Sequence, residues 1–140
     1  MGTRANVIIK DDYGKLYFYR HNDGYPEGIM PSLEKFLALV KDGKIRDNVS
    51  QSAGWLIMVG AEEYKKYQLG EYADDWTECK EQMWLDRVPS VPSSDGLSGW
   101  KVGAFEPTTG LHGDIAHLYV IDLEEKVIKE IPQDGWTEWE

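Results

Sequence analysis

Two short stretches near the start of the chain constrain its fold more than any other feature. Residues 5 to 10 are rich in β-branched side chains, and residues 15 to 21 alternate polar side chains with apolar and aromatic ones. Residues 11 to 14 between them are turn formers, so the pattern predicts an antiparallel hairpin. Strand side chains alternate between two faces, which places Arg4, Asn6, Ile8 and Lys10 on one face and Ala5, Val7 and Ile9 on the other.

Helical patterns follow the hairpin. Apolar side chains at i, i+3, i+4 and i+7 predict a helix that begins at Pro31-Ser32 and ends at Asp42-Gly43. Asn48 is a good N-cap residue and predicts the start of a second helix, in which Gly60 either weakens the helix or allows close packing. Residues 70 to 98 predict helical pieces that give way to an irregular connection.

Strand patterns return in the last third of the chain. They cover residues 99 to 106, 115 to 123 and 126 to 131, with a predicted break at residues 107 to 110. Together these patterns predict a single α+β domain over residues 1 to 140. Its one antiparallel sheet of about five strands combines the N-terminal hairpin with a C-terminal meander, and two or three helices inserted between them pack on one face.

The charge and composition of the chain argue against several kinds of partner. The net charge is −10, and residues 51 to 140 hold seven Lys and Arg against eighteen Asp and Glu. Since the chain has no basic stripe, we expect no long nucleic acid as a partner. It has neither an apolar run of about 18 residues nor a signal-peptide pattern, so we expect a cytoplasmic protein without a membrane partner. The single cysteine, Cys79, fits a reducing compartment.

The segment from residue 19 to residue 28 carries the densest group of reactive side chains. Its candidate ligand-binding residues are Arg20, His21, Asp23, Tyr25 and Glu27, and Arg4 adds a cation at the start of the first strand. Such side chains can bind an anion, hold a metal, transfer a proton or stabilise a turn. Successive strand residues face opposite ways, so at most one of Arg20 and His21 joins Arg4 directly.

Two of these segments carry a resemblance. The chain opens Met1-Gly2-Thr3-Arg4 before the hairpin, and its loop reads Tyr19-Arg20-His21-x-Asp23-Gly24-Tyr25-Pro26 before a helix. Both features are similar to those of a family of small uncharacterised proteins from tailed bacteriophages and bacteria. Many members of that family have an aromatic residue where Asn22 stands here. The resemblance implies a phage or bacterial origin, with the bacterial host cytoplasm as the location if the protein is phage-encoded, and a shared site.

A second candidate segment covers residues 108 to 114. Its two glycines let the backbone approach a ligand closely, and His112 and Asp114 lie two residues apart. If this segment folds beside the first loop, then His21, Asp23, His112 and Asp114 form a candidate acid–base or divalent-metal cluster. Their spacing matches no familiar metal motif, so we predict no cofactor and keep a divalent metal as an alternative.

Three classes of function remain open, and whether the protein is an enzyme is undecided. We favour a small-ligand binding protein, in which Arg4, Arg20, His21 and Tyr25 hold an anionic or nucleotide-like molecule under the second loop. The first alternative is a metal-dependent or His/Asp acid–base hydrolase that uses His21 or His112 with Asp23, Glu27 or Asp114. The second alternative is an acidic factor that engages a basic host protein through residues 62 to 86 and the tail.

The C-terminal tail holds two tryptophans, Trp136 and Trp139, among acidic residues. They either dock back on the domain or present anchors to another subunit. We expect docking, and a homodimer stays open.

Overall fold

The computed structural model describes residues 2 to 68 and 104 to 140, without the side chains of residues 64 to 68. The predictions for residues 70 to 98, for Cys79 and for residues 99 to 103 lie outside the described residues. So does most of the acidic stretch from residue 62 to residue 86.

The described strands form one five-stranded sheet. They are β1 (Ala5–Lys10), β2 (Lys15–Arg20), β3 (Glu106–Thr108), β4 (His117–Asp122) and β5 (Val127–Glu130). Their order across the sheet is β3-β2-β1-β4-β5. The α+β class with an N-terminal hairpin is confirmed, and the sheet is mixed rather than wholly antiparallel, because β1 and β4 pair in parallel. A parallel pair needs a long crossover connection, and both described α-helices lie in the connection between these strands.

The two α-helices are α1 (Pro26–Lys41) and α2 (Val49–Gln68). Helix α1 begins at Pro26 rather than at the predicted Pro31, because a proline fits the first helical position, where its missing N–H is not needed. The predicted start of α2 is confirmed, since the backbone N–H of Gln51 donates to Asn48 Oδ1 at 3.1 Å.

The third strand corrects another prediction. Residues 107 and 108 were expected to break a strand, whereas they belong to β3 and residues 104 and 105 do not. Among the described strands β3 lies at the edge of the sheet, where Pro107 is tolerated opposite Phe18 of β2.

Both faces of the sheet are covered. The face with Val7 and Ile9 packs against α1 and α2 in the main core, as the alternation in β1 predicts. The other face buries Ile8, Leu118 and Val120 beneath a C-terminal 3₁₀ helix (Gln133–Trp139). The Tyr17 hydroxyl donates to the carbonyl of Trp139 at 2.7 Å, and Trp136 and Trp139 pack against this second cluster, which confirms that the tail docks on the domain. Within the described ranges, no helix is long and apolar enough to cross a membrane.

Candidate functional site

The N-terminal segment lies between the two candidate loops and fixes both. The N–H of Gly24 donates to the carbonyl of Thr3, and the N–H of Ala116 donates to the carbonyl of Arg4, each at 2.8 Å. A Cβ at Gly24 would lie 2.7 Å from the Cβ of Ala5, so only glycine fits this close approach. The Tyr119 hydroxyl donates to the carbonyl of Gly24 at 2.7 Å and anchors the loop from the sheet side.

Arg20 is an interior residue rather than a surface one. Its side chain is 0% exposed, and the two terminal nitrogens of its guanidinium each donate to one carboxylate oxygen of Glu63 on α2. Its Nε donates to the carbonyl of Asn22 at 2.8 Å, and its Cζ lies 5.2 Å from the centre of the Phe105 ring. This bidentate pair ties β2, the loop after it and α2 together, as planar guanidinium groups do in buried sites.

A groove lies beside that buried pair, between the start of α1 and the second half of α2. Its volume is about 380 Å³. The side chains that line it are mainly acidic or polar, with an apolar floor: Asp23, Tyr25, Glu27, Pro31, Ser32, Lys35, Val59, Glu62 and Glu63. Glu63 is neutralised by Arg20 and also accepts a hydrogen bond from the Ser32 hydroxyl. Among the lining residues that the structure describes, the three carboxylates of Asp23, Glu27 and Glu62 therefore oppose the single ammonium of Lys35.

Tyr25 brings an aromatic ring to the rim of this groove. The charge of the Asp23 carboxylate, together with partial burial and a hydrogen bond to Asp23, raises the pKa of the Tyr25 phenol. The phenol therefore stays protonated at neutral pH and acts as a donor beside Asp23. Asp23 itself has a positive φ of 57°, a conformation that aspartate tolerates better than most residues do.

The two candidate loops meet at Tyr19, on the sheet face opposite the α-helices. The ring of His112 stacks on the ring of Tyr19 at 3.9 Å, and the Tyr19 hydroxyl donates to Asp114 Oδ2 at 3.2 Å. His21 Nδ1 lies 3.4 Å from the same hydroxyl. Arg4 Nε lies 3.1 Å from Asp114 Oδ2 in an ion pair. Burial raises the pKa of Tyr19, and the charge of Asp114 raises it further, so this phenol also stays protonated.

Asn6 positions the second loop on this cluster. Its side chain is fully buried on β1, where Nδ2 donates to the carbonyl of Phe18 at 2.8 Å. Its Oδ1 accepts the backbone N–H of His112, also at 2.8 Å. His112 Nε2 in turn lies 3.1 Å from the Thr108 hydroxyl. The buried Asn6 amide and the Thr108 hydroxyl therefore hold His112 in place, in addition to the contacts of Tyr19 and Arg4 with Asp114.

The sequence-predicted residues separate into two groups and one interior residue. Arg4, His21, His112 and Asp114 surround Tyr19; Asp23, Tyr25 and Glu27 line the groove; Arg20 is buried between the sheet and α2. In the part of the chain that the structure describes, no three His, Cys, Asp or Glu side chains are placed to hold a metal ion.

We did not predict Asn6 or Tyr19 as individual site residues from the sequence, and Glu62 and Glu63 were predicted only as part of the acidic stretch from residue 62 to residue 86. Two of them carry a readable signal. Asn6 lies on an alternating strand, where a polar side chain on a covered face needs a buried partner. Glu63 follows Leu56 by seven residues and Val59 by four, which places a carboxylate on the apolar face of α2 and predicts a buried cation opposite.

Comparisons with protein-family models, with curated proteins and with solved structures find no match to this chain. The groove and the Tyr19 cluster (Arg4, Tyr19, His21, His112 and Asp114) are therefore the two candidate functional sites of the described residues.

Proposed function

We propose that the protein is a small-ligand binding protein whose ligand is an organic cation, held in the groove between α1 and α2. The observation that carries this proposal is the charge of the groove: among its described lining residues, Asp23, Glu27 and Glu62 oppose only Lys35 around a space of about 380 Å³. A concave site of that size, with several convergent polar groups, is typical of small-molecule binding. A carboxylate-lined cleft favours cations and repels anions.

The apolar part of the groove narrows the class of cation. Pro31 and Val59 offer a surface for an alkyl chain, and the ring of Tyr25 can lie against an ammonium or guanidinium group. A metal ion needs three or more ligands at close range, and the described acidic groups do not provide that arrangement. Both features support a short alkyl amine or guanidine.

The proposed ligand is a cation, whereas the sequence led us to expect an anion. That expectation relied on Arg20 as a cation in the binding site, whereas Arg20 forms an ion pair with Glu63 inside the protein. We also propose a phage or bacterial origin for the protein, as the resemblance implies. The hydrolase alternative stays a prediction, with Asp23 on the groove and His21, His112 and Asp114 around Tyr19.

Calorimetric titration with putrescine and agmatine tests the proposal, with 1,4-butanediol as an uncharged probe of similar length. We expect both cations to bind, the diol not to bind, and the affinity to fall as salt is raised. The Glu27→Gln and Glu62→Gln variants remove one charge each at nearly constant size. Each should weaken binding by about two- to fivefold, as expected for a partly exposed ion pair.

The matched control is Glu34→Gln, which removes an exposed charge from α1 outside the groove. Equal binding of the cations by wild type, Glu62→Gln and Glu34→Gln contradicts the proposal, as does preferential binding of the diol. A lysine-rich peptide separates two sources of the same chemistry. If the peptide binds much more tightly than putrescine does, the cation is a basic side chain of a partner protein, which agrees with the acidic-factor alternative.

A further inference from the structure

The Tyr19 cluster carries a separate inference that does not depend on the groove. Its donors belong to a rigid frame. The backbone of Arg4 is fixed by the hydrogen bond that its carbonyl accepts from the N–H of Ala116, and Tyr19 is a buried residue of β2. The Tyr19 hydroxyl and Arg4 Nε both approach the same atom, Asp114 Oδ2, at 3.2 Å and 3.1 Å. Two fixed donors therefore converge on one point that a single anionic oxygen fills.

The group at that point is weakly held. The Asp114 side chain is 53% exposed, and it follows a segment with glycines at positions 110 and 113. No described atom lies within 4 Å of where a Cβ would stand on either glycine, so neither is there to allow close packing. Arg4 Nε is buried, and among the described residues it has no hydrogen bond of good geometry, although Asp114 Oδ2 is close. A buried donor that is only partly satisfied calls for a better-placed acceptor.

The surroundings suit an anion with more than one oxygen. His21 Nδ1 lies 3.4 Å from the Tyr19 hydroxyl, the group that donates to Asp114 Oδ2. His112 covers the ring of Tyr19 and is itself exposed on its outer side. The Arg4 side chain is 31% exposed, so part of it reaches solvent. A guanidinium binds two oxygens of one carboxylate or phosphate in a fork, and one oxygen of Asp114 uses only part of that capacity.

We propose that Arg4, Tyr19 and His21 form a binding site for a carboxylate or phosphate group, and that the Asp114 carboxylate occupies this site until an external anion displaces it. The anionic ligand expected from the sequence is thereby assigned to this face of the sheet. The partly exposed Arg4–Asp114 pair opposes displacement by about fivefold or less. The Asp114 charge itself repels an entering anion, so its removal should strengthen binding.

Inorganic phosphate is the first probe, titrated into isotope-labelled protein while the Arg4 Nε–H and the His21 ring resonances are followed by NMR. The wild-type protein should bind phosphate weakly. Asp114→Asn should bind it more tightly, by up to about fivefold, because the competing carboxylate is gone. Arg4→Gln should bind at least about tenfold more weakly, as expected when a charged donor to phosphate is lost. Arg46→Gln and Asp134→Asn are matched controls on exposed residues elsewhere and should bind as wild type does.

Tyr19→Phe keeps the ring under His112 and removes only the hydroxyl, so it tests the site even if Arg4→Gln proves unstable; its phosphate affinity should fall. Phosphate binding that is unchanged in both Arg4→Gln and Tyr19→Phe overturns the proposal, and so does an Asp114→Asn variant that binds no better than wild type. Acetate and adenosine monophosphate then identify the source of the anion. Equal binding of acetate and phosphate indicates a carboxylate ligand, whereas tighter binding of the nucleotide indicates a phosphate ester.

Discussion

Replacing Arg20 should destabilise the protein strongly, because Arg20 and Glu63 form a buried ion pair. Arg20 is 0% exposed and Glu63 is 15% exposed, so neither charge is well screened by water. In the Arg20→Met variant, the Glu63 carboxylate loses the bidentate pair and keeps only the hydroxyl of Ser32. Removing one partner of a buried pair costs about 3–5 kcal/mol of unfolding free energy, and we expect Arg20→Met to fall in that range.

A double-mutant cycle separates the pair from the packing around it. Glu63→Leu alone leaves the guanidinium buried without its carboxylate and should cost a similar amount. The double variant, Arg20→Met with Glu63→Leu, removes both charges. Its loss of unfolding free energy should therefore be smaller than the sum of the two single losses by at least about 2 kcal/mol.

Urea denaturation followed by circular dichroism measures all three free energies, with Arg46→Gln as an exposed arginine control. Additive single losses, agreeing within about 0.5 kcal/mol, would refute the ion-pair account. A stable Arg20→Met variant that loses only ligand binding would make Arg20 a binding residue, as the sequence first suggested.

Three further predictions concern helix packing, acid stability and the tail. Gly60→Ala places a Cβ 2.6 Å from the Phe105 ring and should cost about 1–3 kcal/mol of unfolding free energy. Gly54→Ala meets no described atom and should stabilise α2 by up to about 1 kcal/mol. Thermal unfolding compares the two variants directly, and equal effects on stability would contradict the close packing at Gly60. The pKa of Asp11 is lowered by backbone hydrogen bonds, first from Val49 and then from Tyr13, so its stabilisation is present above the pKa of the unfolded chain, near 4, and is lost as pH falls through the lower folded value. Asp11→Asn should therefore flatten the acid limb of the stability curve while the exposed Asp12→Asn leaves it unchanged. Trp136→Ala should cost about 1–3 kcal/mol in the same urea assay, because the ring packs on the second sheet face, and an unchanged stability contradicts docking.

The hairpin and the start of α2 were predictable from the sequence because each depends on short-range rules. Alternation over residues 5 to 10 assigned the two faces of β1, and Asn48 marked a helix start through its side-chain cap. The parallel pairing of β1 with β4 could not be predicted, since it joins residues more than a hundred positions apart through a crossover. Pro31 misplaced the start of α1 because proline is disfavoured inside a helix and favoured at its first position, whereas here Pro26 takes the first position and Pro31 lies inside the helix.

The candidate site shows the same division. The composition of residues 19 to 28 identified them as candidate site residues. Which of these side chains lie together depends on the direction in which each one points, and only the folded structure determines that direction. Arg20 faces α2 because successive side chains of β2 point to opposite faces of the sheet. Its partner Glu63, on α2, lies 43 residues away in the sequence. The meeting of His112 with Tyr19 depends on a long-range contact through Asn6. The residues of two loops that were one hypothetical site therefore lie partly in an acidic groove and partly in the separate Tyr19 cluster.

The most direct test of the central claim is a map of where an organic cation binds. Isotope-labelled protein titrated with putrescine should show backbone amide shifts concentrated at residues 23 to 35 and 59 to 63, the two walls of the groove, with an affinity that falls as salt is raised. Shifts that are absent at saturating putrescine, or that cluster around Tyr19 and Asp114 instead, would contradict the claim that this groove is a binding site for cations.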